Sequence, residues 1–388
     1  MSMTSKECVR AALEFRETDY VPCGFYAIDY DTVERIIGRE TYVRHKARTR
    51  IALWEGRRDE VLQSYIEDTI DLYRKLDDVI DVINLYTELY TVLPPRGWRD
   101  PNPPRRVDDV TWVYDDGRVL KHSALTSDIT LVYDPHKHTR MFSPEQFPLE
   151  FEPAPEDETI YEATDAITAE FGDSKYIVGP YPFATEMVLL GDSMERGLLE
   201  MAANPDLVER ASRSALAWAR ARQACWRNRG YDAVMASEDF AYNAGPFLSP
   251  AMFRRFCYPN LVANVEFAHS QGLPLFHHAC GNNWPLIDSF IEAGIDCYQS
   301  IQTSMDLPRL KQYTQGRLAL WGGIPLETLT AGAQEEVRQS VRDAIRIGAP
   351  GGGFILGASH SVAVGCPYDN VMAMFDEIDS FTKYLRRK

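Results

Sequence analysis

The amino-acid sequence predicts an α/β protein, a single (β/α)8 TIM barrel with an N-terminal helical extension and an insertion after the second strand. Three observations carry this. Short apolar runs alternate with longer stretches of helical periodicity along most of the 388 residues, which is the rhythm of βα units. Eight such runs can be placed. Most are nearly continuous in apolar residues, as strands buried on both faces of a parallel sheet must be.

The elements follow in order. Residues 1–20 read as a short leading helix capped by Thr4 or Ser5. Strands are expected at Val21–Tyr26 and Val82–Tyr86. Residues 87–175 break the alternation. They carry Leu93-Pro-Pro-Arg-Gly, the proline run 101–104, and a hairpin signal at Asp115-Asp116-Gly117. This stretch reads as an insertion that covers the barrel mouth or makes a subunit contact. The remaining strands are expected at Tyr176–Phe183, Ala233–Phe240, Leu273–Cys280, Cys297–Gln302, Leu318–Ile324 and Gly353–Ser359. Between them, Ser249-Pro250 starts a helix whose stripe runs through Phe253, Phe256, Leu261 and Val265 to Gly272. Asn283 is placed to cap a helix over Pro285–Ala293, and Glu335–Ile347 stops at Gly348 and Pro350.

Composition narrows the function. The chain is 45% hydrophobic and 25% charged, which excludes a disordered chain, and it has no long uncharged apolar run that would cross a membrane. Its net charge of −16 repels phosphate backbones, so nucleic acid is not an expected partner. Seven cysteines without paired spacing do not make a disulfide framework, and the N-terminal residues carry charges where a signal peptide is expected to have its apolar core. A reduced, cytoplasmic protein is the expectation. No flexible linker or internal repeat divides the chain, so residues 1–388 are read as one domain, with a homodimer left open.

In such a barrel the chemistry sits at the C-terminal ends of the strands. The fourth strand ends in Glu238-Asp239, the fifth in His277-His-Ala-Cys-Gly281, the sixth in Gln302, and the eighth in Ser359-His360-Ser361. His278 and Cys280, two apart on a strand, point to one face, so an imidazole and a thiolate can converge on one ion. His360 is the first choice for a third ligand and Cys366 the second. The other reading of Cys280 is a small buried apolar residue, and of the histidines, core residues with satisfied hydrogen bonds. His277 faces away from His278 and is read as structural. Of Glu238 and Asp239 only one can face the mouth. Asp239 is favoured, as a general acid/base or substrate acceptor, against capping the following turn. Gly351-Gly-Gly precedes a strand and is read as a turn, not a phosphate loop.

The stretch Phe276-His-His-Ala-Cys-Gly, with Leu286-Ile-Asp-Ser-Phe-Ile-Glu-Ala-Gly, Ile301-Gln302, Trp321-Gly-Gly-Ile, Gly351-Gly-Gly-Phe-Ile-Leu and Ser359-His-Ser, resembles the uroporphyrinogen decarboxylase superfamily. Earlier echoes are Tyr20-Val-Pro, Gly179-Pro-Tyr-Pro-Phe and Gly245-Pro-Phe-Leu-Ser-Pro. The likeness runs through nearly the whole chain, least in 87–175. The superfamily holds metal-free porphyrinogen decarboxylases and zinc-dependent, corrinoid-linked methyltransferases. True decarboxylases carry an arginine-rich grip on substrate carboxylates after the first strand. Here that stretch is Phe25-Tyr-Ala-Ile-Asp-Tyr-Asp-Thr, with two aspartates and no arginine, which argues against a polycarboxylate substrate.

The methyltransferase branch is the better match. Its zinc ligands are a His-x-Cys pair and a distant cysteine, whose position here corresponds to His360. The implied ligand set is His278, Cys280 and His360, with one thiolate instead of two. A zinc ion so held keeps a positive charge and polarises an ether oxygen better than it activates a thiol. The resemblance therefore implies transfer of a methyl group from an aromatic methyl ether to the Co(I) cobalamin of a separate corrinoid protein. Asp239 or Glu238 would do the acid/base work, and Tyr26, Phe183 and Gln302 would line the substrate pocket. The alternatives are a methylcorrinoid:thiol methyltransferase and a metal-free decarboxylase of a small acid.

Overall fold

The computed structural model describes residues 3–88, 92–137, 142–188 and 193–386. Seven parallel strands form one curled sheet, in chain order: β1 (Val82–Asn84), β2 (Tyr176–Gly179), β3 (Ala233–Ser237), β4 (Leu275–His278), β5 (Cys297–Ile301), β6 (Ala319–Ile324) and β7 (Phe354–Ala358). Each falls within a run expected to be a strand. The first expected strand differs. Over Val21–Tyr26 only isolated parallel bridges form, Cys23 with Leu356 on β7 and Gly24 with Val82 on β1.

Those bridges join the two edges of the sheet. Gly24 N–H donates to the Leu356 carbonyl (3.0 Å) and Val82 N–H to the Cys23 carbonyl (3.1 Å). Gly24 packs so tightly that a Cβ there would lie 2.6 Å from the Val82 Cβ. The fold is thus a TIM barrel whose eighth stave is too cramped to run as a regular strand.

Alternation along the strands sorts side chains into two cores. Val82, Tyr176, Val178, Met235, Phe276, Cys297, Ala319, Trp321 and Ile355 fill the barrel interior. The opposite faces meet the helices in a larger cluster. Below the barrel, the helix Ser5–Leu13 brings Val9 against the interior core, and Thr4 caps it in a reciprocal box with Glu7. The helix begun by Ser249 stops at Phe256 and restarts at Tyr258, because Pro259 cannot continue a hydrogen-bonded turn. Its Ser249 hydroxyl caps the Met252 N–H as the sequence suggests.

Extra material fills the chain after β1. Strands Arg105–Arg106, Thr111–Val113, Val119–Ser123 and Asp128–Tyr133 form an antiparallel sheet, and the Asp115-Asp116-Gly117 turn lies between the second and third. Trp112, Leu120 and Ile129 seat it on Ala47 of the helix Lys46–Trp54. The helix Glu162–Phe171 packs on Arg58–Lys75 and β2, as a regular helix of the ring, so the additional material ends before it. Among the described residues, no helix is long and apolar enough to cross a membrane.

Candidate metal centre

The strand register sets a row of side chains across the barrel mouth. Ser237 on β3, His278 on β4 and Gln299 on β5 are direct partners in the sheet. His278 shares its face with Phe276, so it points into the barrel and is only 3% exposed. Its Nδ1 is bonded to Gln299 Oε1. A carboxamide oxygen only accepts, so this bond puts the proton on Nδ1 and leaves the Nε2 lone pair free.

That lone pair faces Cys280 Sγ at 3.1 Å. His360, from the segment after β7, completes the group, and one ligand atom from each of the three lies within 4.8 Å of the others. Tetrahedral zinc with bonds of about 2.3 Å to sulfur and about 2.0 Å to nitrogen needs an N···S separation of about 3.5 Å. The His278–Cys280 pair meets this with a shift of a few tenths of an ångström, and His360 lies within reach of both. Burial keeps both imidazoles neutral, the state in which they ligate a metal. Burial first, and the nearby Asp239 second, push the Cys280 thiol up to about 12, so a metal would have to displace its proton. The donor set and its neutral imidazoles fit a zinc ion. Cys366, the second choice as third ligand, is buried elsewhere, hydrogen-bonded to Ala363, and is not in the cluster.

The loop carrying Cys280 is tied down from three sides. Asp239 Oδ1 accepts from the Cys280 N–H (2.7 Å) and lies 3.8 Å from His278 Nε2. Gln302 Oε1 accepts from the Gly281 N–H (2.8 Å). Asn283, expected as a helix cap, makes no cap bond. Its Nδ2 donates instead to the Ala279 and Cys280 carbonyls at 3.1 and 2.9 Å. Gly281 has φ +84°, and a Cβ there would lie 2.5 Å from the Ala241 backbone. No other residue fits this turn.

The adjacent carboxylates separate as alternation requires. Asp239 stands at the cluster and is exposed at the mouth. Glu238 turns to the other side, where burial first and then Glu186 hold its carboxyl well above the usual range. There His277 is sealed between Phe240 and Phe290, with Glu186 Oε1 3.7 Å from its Nε2. Burial keeps Glu186 protonated and His277 neutral, so this contact is not an ion pair.

Tyr26 lies in the mouth, stacked on His278 with its hydroxyl 3.1 Å from Ser237 Oγ. Phe183 is placed differently. It lines a neighbouring cavity of about 350 Å3 with Tyr86, Tyr181 and Trp218. Reasoning from sequence missed Gln299 and Ser300. Gln299 carried a signal, an amide in a fully buried strand.

Comparison with known proteins bears on this site. A family model for uroporphyrinogen decarboxylase (URO-D) matches residues 124–381. The chain belongs to the URO-D family. A curated uroporphyrinogen decarboxylase from Ralstonia pickettii (strain 12J) is 27% identical over 152 residues, 37% of this chain. That match spans only 40% of the relative's length. A methyltransferase from Methanosarcina mazei superposes over 98% of this chain and 99% of its own, with a TM-score of 0.62 at 18% identity. At that identity the likeness shows the shared barrel of this URO-D member and leaves its reaction to the site.

Proposed function

We propose that this URO-D family member is a zinc-dependent methyltransferase. It would move a methyl group from an aromatic methyl ether to the Co(I) corrinoid of a separate carrier protein. The observation that carries this reading is the convergence of His278, Cys280 and His360, a donor set with one thiolate. Zinc bound there would keep a positive charge and draw electron density from the ether oxygen, easing departure of the aryl oxide. The methyl group would leave for the carrier's cobalt as substrate, with the C–O bonding pair left on the oxygen.

The chain's own residues frame that exchange. Gln299 holds His278 in the ligating tautomer. Asp239, exposed beside the cluster, both anchors the Cys280 amide and is placed to orient the substrate. Tyr26 offers an aromatic wall. The segment Phe25–Thr32 lends no guanidinium to a polycarboxylate, and Arg44 nearby is already paired with Asp29 at 2.9 Å. This supports an ether over a porphyrinogen.

The test pairs zinc-loaded protein with Co(I) cobalamin and a panel of methoxybenzoates, reading phenol release and loss of the Co(I) spectrum. Stoichiometric methyl transfer supports the reading. Transfer only from methylcobalamin to a thiol, or decarboxylation without metal, would replace it.

A further inference from the structure

Ser300 is fully buried yet has φ +89°, a conformation that L-residues with side chains rarely adopt. It sits at a register shift between Gln299 and Ile301, where β5 pairs with β6. In a regular strand Ser300 would point opposite to Gln299, out towards the helices. The irregularity turns it inward instead. Its Oγ lies 3.5 Å from Cys280 Sγ and 3.2 Å from the carbonyl oxygen of Ser359, the residue before His360. One hydroxyl therefore reaches both loops that carry the proposed ligands. It has one proton and two lone pairs, enough to donate to the carbonyl while accepting from the thiol, or to turn its proton to a thiolate.

We infer that Ser300 is a positioning residue, held in an unfavourable backbone conformation so that its hydroxyl sets the Cys280 sulfur and the His360 loop at metal-binding distance. This rests on the metal-centre reading above. Strain of this kind persists where the surrounding structure imposes it, and it clusters at functional sites.

The test compares wild type with Ser300→Ala and Ser300→Gly. Melting of the metal-free proteins reads the strain. Glycine in a strand is ordinarily less stable than alanine, but at this φ the order reverses, so Ser300→Gly should melt above Ser300→Ala. Co2+ titration, followed by the thiolate-to-cobalt charge-transfer band, reads the positioning. Both variants lack the hydroxyl and should bind Co2+ about 10- to 100-fold more weakly than wild type. Variants that bind Co2+ as wild type does, whatever their melting order, would overturn the inference and leave the metal centre standing. Alanine melting above glycine would remove the strain argument. A wild-type chain that takes up no Co2+ would overturn both readings at once.

Discussion

The ring of Tyr26 lies flat on the ring of His278, with centroids 3.8 Å apart and planes 13° from parallel. The contact joins the cramped eighth stave of the barrel to the first ligand of the metal centre. With Gln299 bonded at Nδ1, it leaves the imidazole one orientation. Tyr26→Phe keeps the ring and loses only the bond to Ser237, so zinc affinity should stay within about threefold of wild type. Tyr26→Leu removes the flat surface and should weaken zinc about tenfold. Competition titration with a chelator dye distinguishes the two, and equal losses would show that the hydroxyl matters and the stack does not.

Gln299 acts on the same ring through its tautomer. Gln299→Leu leaves the His278 Nδ1–H without its acceptor, and zinc affinity should fall about 10- to 100-fold. Gln299→Glu restores an acceptor and should recover most of the loss. Isothermal titration with zinc checks this. An unchanged affinity in Gln299→Leu would mean that the ring is held by Tyr26 alone.

Behind the centre, Glu186 gives a stability that depends on pH. Burial raises its carboxyl above the ordinary value of 4.5, with Asn264 Nδ2 donating to Oε1 at 2.9 Å. Between the unfolded and folded values, the folded chain holds a proton that the unfolded chain has released. Its stabilising contribution is therefore full below about 4.5 and falls as pH rises. Glu186→Gln carries no such proton. The melting temperature of the variant should pull ahead of wild type progressively from pH 5 to pH 8, and a difference that does not vary with pH would contradict the assignment.

Closure of the barrel depends on Trp321. Its side chain is fully buried in the interior and its Nε1–H donates to the Gly24 carbonyl at 2.9 Å. Trp321→Phe loses that bond and leaves a void, which together should cost about 2–4 kcal/mol. Urea unfolding measures it. A loss under about 1 kcal/mol would mean that the bridges at Cys23 and Gly24 close the barrel without the indole.

Much of this was legible in the sequence because burial on two faces leaves apolar runs, and seven of the eight expected strands contain one of the seven observed. A two-residue strand period pairs His278 with Cys280 in the sequence, yet β4 ends at His278 and Cys280 reaches the cluster from the loop beyond it, while His360 is marked by its place at a strand end. Three features were hidden for physical reasons. The eighth stave, at Val21–Tyr26, is reduced to bridges by backbone crowding at Gly24, which no residue pattern records. Asn283 looks like a helix cap from its position, but its amide is drawn to the Cys280 loop by contacts that exist only in the folded barrel. Ser300 reads as an ordinary strand residue, because the irregularity that turns it inward arises from pairing between β5 and β6.

The account stands on the metal centre, and its most direct test is the zinc content of the purified protein. Wild type is compared with Cys280→Ala, His360→Ala and, as a control outside the cluster, Cys366→Ala. About one zinc per chain is predicted in wild type and in Cys366→Ala, with loss in the other two. No zinc in wild type after reconstitution, or loss in Cys366→Ala with retention in His360→Ala, would contradict it.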